Sequence, residues 1–374
     1  MRTILIFRQT LLPITETFVY AQANALQHFA PRYIGFQPAT PSLLVGDDAI
    51  LLAKSRSYLS RARKALYAYT GKATAFHKKA AGSGAVLLHA HFGPDGAAAL
   101  PLARHLRIPL IVTLHGYDVT MHDQYRAKTL PGRLYLERRQ ELWERAALFL
   151  CVSEHLREKA IEIGFPKEKL RAHYIGIDRT AFTPEPKPAQ DMILFVGRLI
   201  PNKGVAYLLH AMQYVQRERP SARLVIVGDG LLRPSLEKMA SDLKIACEFA
   251  GAKPTAAVRE YMRQATILCA PSVTAINGES EGLGMVGLEA QAMGRPVVGF
   301  RTGGIPEAVR HEETGMLATE GDSQRLSEYI LRYLKDEAFW HASSARAVQW
   351  IEERFDLQKQ AAILEDIYEE CLQG

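Results

Sequence analysis

Short apolar runs alternate with helical patterns along this chain, and the series occurs twice, on either side of a proline-rich stretch. In the first series TILIF (3–7) has the length of a buried strand, and TFVYAQANALQHF (17–29) reads as a helix. AVLLHAHF (85–92), PLIVTLHG (109–116), LFLCVS (148–153) and HYIGID (173–178) read as further strands. Helical patterns lie among them in DGAAALPLARHL and near 130–147. Strands that are apolar throughout, rather than alternating, belong to parallel sheets covered on both faces. Near 180–190 the chain becomes TPEPKPAQ, whose three prolines mark a linker. The alternation then restarts: MILFVGR (192–198), VAYLLHAMQYVQRER, ARLVIVGDG (222–230), a helix near 233–243, CEFAG, a helix near 255–264, TILCAPS (266–272), a helix near 285–293, and PVVGFR (296–301). A helical, amphipathic stretch over 345–372 closes the chain. No sequence repeat relates the halves. The expectation is an α/β protein of two Rossmann-like domains, 1–182 and 188–354, facing each other across a cleft. Ligands in such sheets sit at the carboxyl ends of strands.

Composition narrows the classes. At 374 residues two domains are expected. Hydrophobic residues at 48% and charged residues at 23% exclude a largely disordered chain. No run approaches the roughly 18 apolar residues of a spanning helix. The opening MRTILIFRQTLLPITETF lacks a secretory pattern, being interrupted by Arg8 and Gln9. Cysteines at 151, 247, 269 and 371 form no C-x-x-C pair, so neither a zinc site nor a disulfide framework is expected, and a reducing, cytoplasmic location is. The net charge of +6 divides unevenly: residues 1–180 hold 25 Lys and Arg against 14 Asp and Glu, a balance of +11, which leaves −5 for the remainder. The densest basic stretch, 54–79, carries Lys54, Arg56, Arg61, Arg63, Lys64, Lys72, Lys78 and Lys79, with no acid and with interleaved Tyr, Leu and Phe. That mixture suits an anionic membrane surface; a solvated helix serving solubility is the competing reading.

Three motifs carry chemistry. In ESEGLGMVGLEA (279–290), Glu281 precedes a helix expected to start near Met285, and Glu289 lies about one turn inside it. Gly282 and Gly284 leave the backbone bare at the helix start, where free N–H groups favour an anion. Carboxylates beside an anion site suit a ligand with both phosphate and hydroxyl groups; a glycine-rich turn with two solvated glutamates is the alternative. In VGRLIPNKG (196–204), Arg198 and Lys203 stand at a strand's carboxyl end, where two cations can clamp a diphosphate or simply be solvated. In IVTLHGYD, His115 ends a strand before Gly116, a position that is often structural. His89 and His91 form H-x-H on a strand; with no third ligand and no D-x-D, a structural or acceptor-side role outweighs metal binding. Asp47 and Asp48 fall in a loop-like region.

Taken together, these elements make the chain resemble retaining glycosyltransferases of the GT-B fold, family 4. The resemblance covers nearly the whole chain: HG at 115–116, VSE at 152–154, IGID at 175–178, VGRLIPNKG, LVIVGDG at 224–230, FAG at 249–251, APS at 270–272, EGLGMVGLEAQAMGRPVV at 281–298 and TGGIPEAV at 302–309. LPITETFVYAQANAL and LLHAHFG look like the branch that builds exopolysaccharide and colanic-acid-type repeat units. The segment TLLPITET lacks the glycine pair many relatives carry after the first strand, which leaves Thr15, Glu16 and Thr17 as acceptor-side candidates together with His91.

The resemblance implies roles position by position. Arg198 and Lys203 match the pair that neutralises the nucleotide diphosphate, Glu289 the glutamate that accepts from ribose hydroxyls, and Glu281 the one facing the donor sugar. The backbone at Leu283, Gly284 and Met285 would bind phosphate or sugar oxygens, and His115 would stand near the sugar's reacting face. The implied reaction is transfer with retention from a nucleotide-diphosphate donor, a UDP-sugar or GDP-mannose. The acceptor would be a polyprenyl-diphosphate-linked saccharide, and the donor phosphate would take the acceptor's proton. Double displacement through Glu281 is the mechanistic alternative, and a nucleotide-sugar epimerase on the same fold the functional one. No cofactor, metal or nucleic acid is expected. The last helix, about 355–374, would pack back on the first domain, and the enzyme would sit peripherally on the inner face of the cytoplasmic membrane.

Overall fold

The computed structural model describes residues 1–43, 49–53 and 57–373. Asp47, Asp48, Lys54 and Arg56 lie outside the described residues. The chain divides into two compact units, Met1–Gly176 with Leu357–Gly374, and Ile177–Asp356.

Among the described residues of the first unit, seven parallel strands run in the order β3-β2-β1-β4-β5-β6-β7. They are β1 (Arg2–Leu11), β2 (Phe29–Pro38), β3 (Ile50–Leu51), β4 (Leu87–His91), β5 (Leu110–Leu114), β6 (Leu148–Cys151) and β7 (Leu170–Ala172). The connecting helices are α1 (Thr17–Asn24), α2 (Tyr58–Thr70), α3 (Thr74–Ala81), α4 (Gly93–Leu106), α5 (Tyr117–Thr120), α6 (Asp123–Arg126), α7 (Leu130–Arg145) and α8 (Glu154–Glu162). Every residue of β4 and β5 is buried, as apolar strands covered on both faces must be. Gly96 lets α4 lie close on β5: a Cβ there would stand 2.7 Å from the Val112 side chain.

Three elements differ from the sequence expectation. The helix near 17–29 stops at Asn24, and residues 29–38 form β2, whose Pro31, Gly35 and Pro38 disguise it. β2 pairs with β1 over most of its length, and among the described residues β3 meets it at Ile34 and Gly35, away from Pro31. The last strand of this sheet is Leu170–Ala172, just upstream of the expected HYIGID. The closing helix is two helices, broken at Phe355–Asp356 where the chain passes from one unit to the other.

The second unit has six parallel strands in the order β10-β9-β8-β11-β12-β13. They are β8 (Met192–Val196), β9 (Arg223–Val227), β10 (Cys247–Gly251), β11 (Ile267–Ala270), β12 (Val297–Phe300) and β13 (Gly315–Ala318). Around them lie α9 (Val205–Glu218), α10 (Arg233–Asp242), α11 (Thr255–Gln264), α12 (Met285–Ala292), α13 (Ile305–Ala308), α14 (Ser323–Lys335) and α15 (Glu337–Arg354). The proline-rich stretch is held to this unit. Arg295, almost fully buried, donates to the carbonyls of Pro186 (2.8 Å), Met262 (3.1 Å) and Arg263 (2.9 Å).

The final helix, α16 (Leu357–Gln373), belongs to the first unit. Leu357, Ala361, Leu364, Ile367 and Tyr368 enter its core. Buried Glu365 accepts from the backbone N–H groups of Gln27 (2.8 Å), His28 (2.6 Å) and Phe29 (3.2 Å). Among the described residues no helix is long and apolar enough to cross a membrane.

Candidate functional site

In each sheet the strand order reverses direction at one place, between β1 and β4 in the first unit and between β8 and β11 in the second. Connections on the two sides of such a point diverge and leave a crevice at the strands' carboxyl ends. Most of the residues singled out from the sequence follow these strand ends.

In the second unit Arg198 follows β8, and Lys203 closes a short turn over Pro201–Lys203. Ser272 follows β11, and Glu281 precedes α12. Lys203 Nζ donates to Glu281 Oε2 at 2.5 Å, and Ser272 Oγ donates to the same oxygen at 3.3 Å. Burial pushes the Glu281 carboxyl up, but the Lys203 charge and both hydrogen bonds outweigh it and hold the group below the usual carboxylate range. Two close approaches set the loop: a Cβ on Gly303 would lie 2.1 Å from the Glu281 carbonyl oxygen, and one on Gly304 2.1 Å from that of Gly282. Gly284 sits at α12's N-cap with φ +88°, and the helix runs on from Met285. Leu283 is buried.

Glu289 lies one turn inside α12, and burial pushes its carboxyl up to about 7. Arg198 is largely exposed, with its guanidinium 3.9 Å from Glu279. Lys203 and Glu281 are thus in direct contact, whereas Arg198 reaches toward Glu279.

In the first unit three histidines form a ladder. His89 and His91 alternate along β4 and stack with centroids 4.5 Å apart. His91 Nδ1 lies 3.0 Å from His115 Nε2, just past β5. Both ring nitrogens of His89 are engaged, with the Tyr368 hydroxyl (2.6 Å) and Thr113 Oγ1 (2.7 Å). Burial, then the neighbouring imidazoles and Arg8, push His91 well below the ordinary histidine range; burial, then Arg8 and His89, do the same for His115. Both rings are therefore neutral at pH 7. His91, expected on the acceptor side, is 1% exposed and meets His115. Of the other acceptor-side candidates, Thr15 is exposed, Thr17 begins α1 half-buried, and Glu16 is tied to Arg8 at 2.8 Å.

Two groups that organise this cluster escape a sequence reading. Arg8 pairs with Glu16 and Asp95, donates to the His91 carbonyl and lies 4.3 Å over the Phe92 ring. Burial alone would weaken its charge, but the two carboxylates more than compensate. From sequence it only interrupts an apolar run. Asp118 accepts from the backbone N–H groups of Gly93 (2.9 Å), His115 (3.0 Å) and Gly116 (2.8 Å), fixing the turn that presents His115. An Asp two residues past a glycine is the turn signal that could have shown it. Among the described residues no group of three or more His, Cys, Asp or Glu could hold a metal ion.

Two Rossmann-like units, each with charged or imidazole side chains at its sheet's reversal point, define the GT-B class. Solved structures agree on the fold. HepE of Anabaena, in complex with UDP and glucose, matches with a TM-score of 0.80 at 19% identity, over 99% of this chain and 100% of that one. Sucrose-phosphate synthase of Thermosynechococcus elongatus matches with 0.78 at 20% identity, over 99% of each. The chain belongs to the family 4 glycosyltransferases: the model "Glycosyltransferase Family 4" matches residues 15–181, and "Glycosyl transferases group 1" matches 178–353. The amylovoran biosynthesis glycosyltransferase AmsK of Erwinia amylovora is 32% identical over 66% of this chain and 61% of its own length. The putative colanic acid biosynthesis glycosyltransferase WcaL of Escherichia coli K12 is 30% identical, over 65% and 60% respectively. The match therefore spans about three fifths of the length of these curated relatives.

Proposed function

We propose that this protein transfers a sugar, with retention, from a nucleotide-diphosphate donor to a saccharide acceptor carried on a polyprenyl diphosphate, in the synthesis of a bacterial surface polysaccharide. The observation that carries the reading is the Lys203–Glu281 pair at the reversal point of the second sheet, with Ser272 alongside and Glu289 within the following helix. The relatives' names favour transfer over the epimerase alternative.

In this reading the second unit holds the donor. Its diphosphate takes Lys203 and Arg198 as counter-charges, with the N–H groups at Leu283, Gly284 and Met285 as donors to its oxygens or the sugar's. Glu289 accepts from the ribose hydroxyls. Glu281, kept ionised by Lys203, accepts from hydroxyls of the transferred sugar. The first unit serves the acceptor, with neutral His115 near the reacting sugar. The acceptor hydroxyl attacks the anomeric carbon on the face from which the diphosphate leaves. The bond from that carbon to the phosphate oxygen breaks as the new glycosidic bond forms, and the hydroxyl proton passes to the departing phosphate oxygen. Fixed positive charge at the leaving group stabilises the transition state more than the ground state. No metal takes part, and the reaction is run on the cytoplasmic face of the membrane, where such an acceptor resides.

A thermal-shift screen of UDP, GDP, ADP and their sugars tests the donor half, because a ligand that binds only the native state raises its stability. One nucleotide diphosphate should raise the melting temperature of wild type and do so markedly less in Lys203→Ala. No shift with any member of the panel would refute the donor assignment.

A further inference from the structure

Helix α2 turns Ser60 and Tyr67 inward, where the Tyr67 ring meets Phe36 and Phe76 edge-on. The opposite side holds Tyr58, Leu59, Leu66 and Tyr69, which are 88%, 75%, 57% and 62% exposed. At about 100° per residue, Tyr58, Ala62, Ala65, Leu66 and Tyr69 fall in one stripe with Leu59 at its margin. Arg61 falls on one side of that stripe and Arg63 on the other. Amphipathic surface helices bury their apolar side, whereas α2 presents one outward and frames it with cations. Lys72, Lys78 and Lys79 are exposed close by in the chain, and no acidic residue occurs between 49 and 94. Lys64 turns away, its Nζ donating to Gln37 Oε1 at 2.5 Å.

We propose that α2 is a membrane-docking helix: it lies in the headgroup layer of an anionic bilayer with Tyr58, Leu59, Leu66 and Tyr69 toward the acyl chains. Arg61 and Arg63 meet lipid phosphates on either flank, and Tyr rings favour the interface because one end is apolar and the other polar. Charge complementarity decides among partners. A second copy of this face would bring like charges together. A nucleic acid would take the cations but has no use for an exposed Ala–Leu stripe between them. Tyr67 and Phe76, the other aromatics of 54–79, are core residues and take no part in this face. The purpose of such docking, reach to a lipid-carried acceptor, rests on the reading above.

The test is cosedimentation of the full chain with vesicles of phosphatidylcholine containing 30% phosphatidylglycerol, and with vesicles of phosphatidylcholine alone, at low and high salt. Wild type should bind the anionic vesicles at least tenfold more strongly, with salt weakening the binding. Leu59→Glu with Leu66→Glu should lose at least tenfold at either salt. Arg61→Glu with Arg63→Glu should lose it mainly at low salt. All four side chains are exposed, so unchanged circular-dichroism melting checks the fold. An unchanged nucleotide thermal shift keeps the result separate from the fate of the donor reading. Vesicle binding indifferent to both double variants, no binding by wild type, or binding only to polynucleotide would each overturn the proposal.

Discussion

Lys203 and Glu281 satisfy each other in this structure, and in the proposed reaction the lysine must also meet a diphosphate. Lys203→Ala and Glu281→Ala should each lower transfer by about 100-fold or more, as losing one preorganised charge-stabilising group commonly does. Steady-state kinetics beside circular dichroism separates this from misfolding; a variant retaining half of wild-type activity would contradict the roles. Glu289 gives a pH test. Its folded pKa is raised to about 7, above the ordinary carboxyl value, so between those values the native state binds more protons than the unfolded one. Stability therefore falls as pH rises through that window, and Glu289→Gln should lack this component of the fall in thermal melts from pH 5 to 7.5. Nucleotide affinity by calorimetry should move the other way, rising in wild type from pH 6 to 8 as the carboxylate forms, and staying flatter in the Gln variant. The types and spacing of Arg198, Lys203, Glu281 and Glu289 were legible in the sequence. Their partners were not: Lys203 meets Glu281 across 78 residues because β8 and β11 are neighbours, a fact of topology. Arg8 was invisible for the same reason, since it matters only once β4 and α4 bring His91 and Asp95 beside it.

Single elements carry the next scale. α16 is tied to the first unit by one carboxylate that satisfies three consecutive backbone donors. Glu365→Ala would take the side-chain acceptor from all three N–H groups, of which that of Phe29 is buried, and should destabilise this unit by about 2–3 kcal/mol. Hydrogen exchange should show lost protection at Gln27, His28 and Phe29 first; unchanged protection would contradict that role. The strands legible in the sequence were those carrying a short, mostly apolar run, β1, β4, β5, β6, β8, β9, β10, β11 and β12. β2 was hidden by its prolines and glycine, and by a neighbour, β3, only two residues long. The basic, aromatic-rich composition of 54–79 was legible, but that Tyr58–Thr70 forms α2 and which of its faces is buried are facts that composition cannot hold.

At the scale of the molecule, two sheets of the same parallel kind carry different chemistry. Neutral imidazoles and a buried arginine gather in the more basic half, and a lysine–carboxylate loop in the acidic half. Alternation in the sequence foretold both sheets. The reversal points that collect the site residues came only with the strand order. Excess EDTA should leave transfer intact if the diphosphate is neutralised by side chains alone; loss restored by magnesium or manganese would contradict that. The most direct measurement offers the purified protein a panel of radiolabelled UDP- and GDP-sugars together with bacterial membranes containing polyprenyl-diphosphate saccharides, and follows label into the lipid extract. Incorporation from one donor is expected, with an unchanged anomeric configuration in the released glycan and near-complete loss of incorporation with Lys203→Ala. Incorporation that survives Lys203→Ala, or nucleotide binding with no label transferred from any donor, would contradict the proposed reaction.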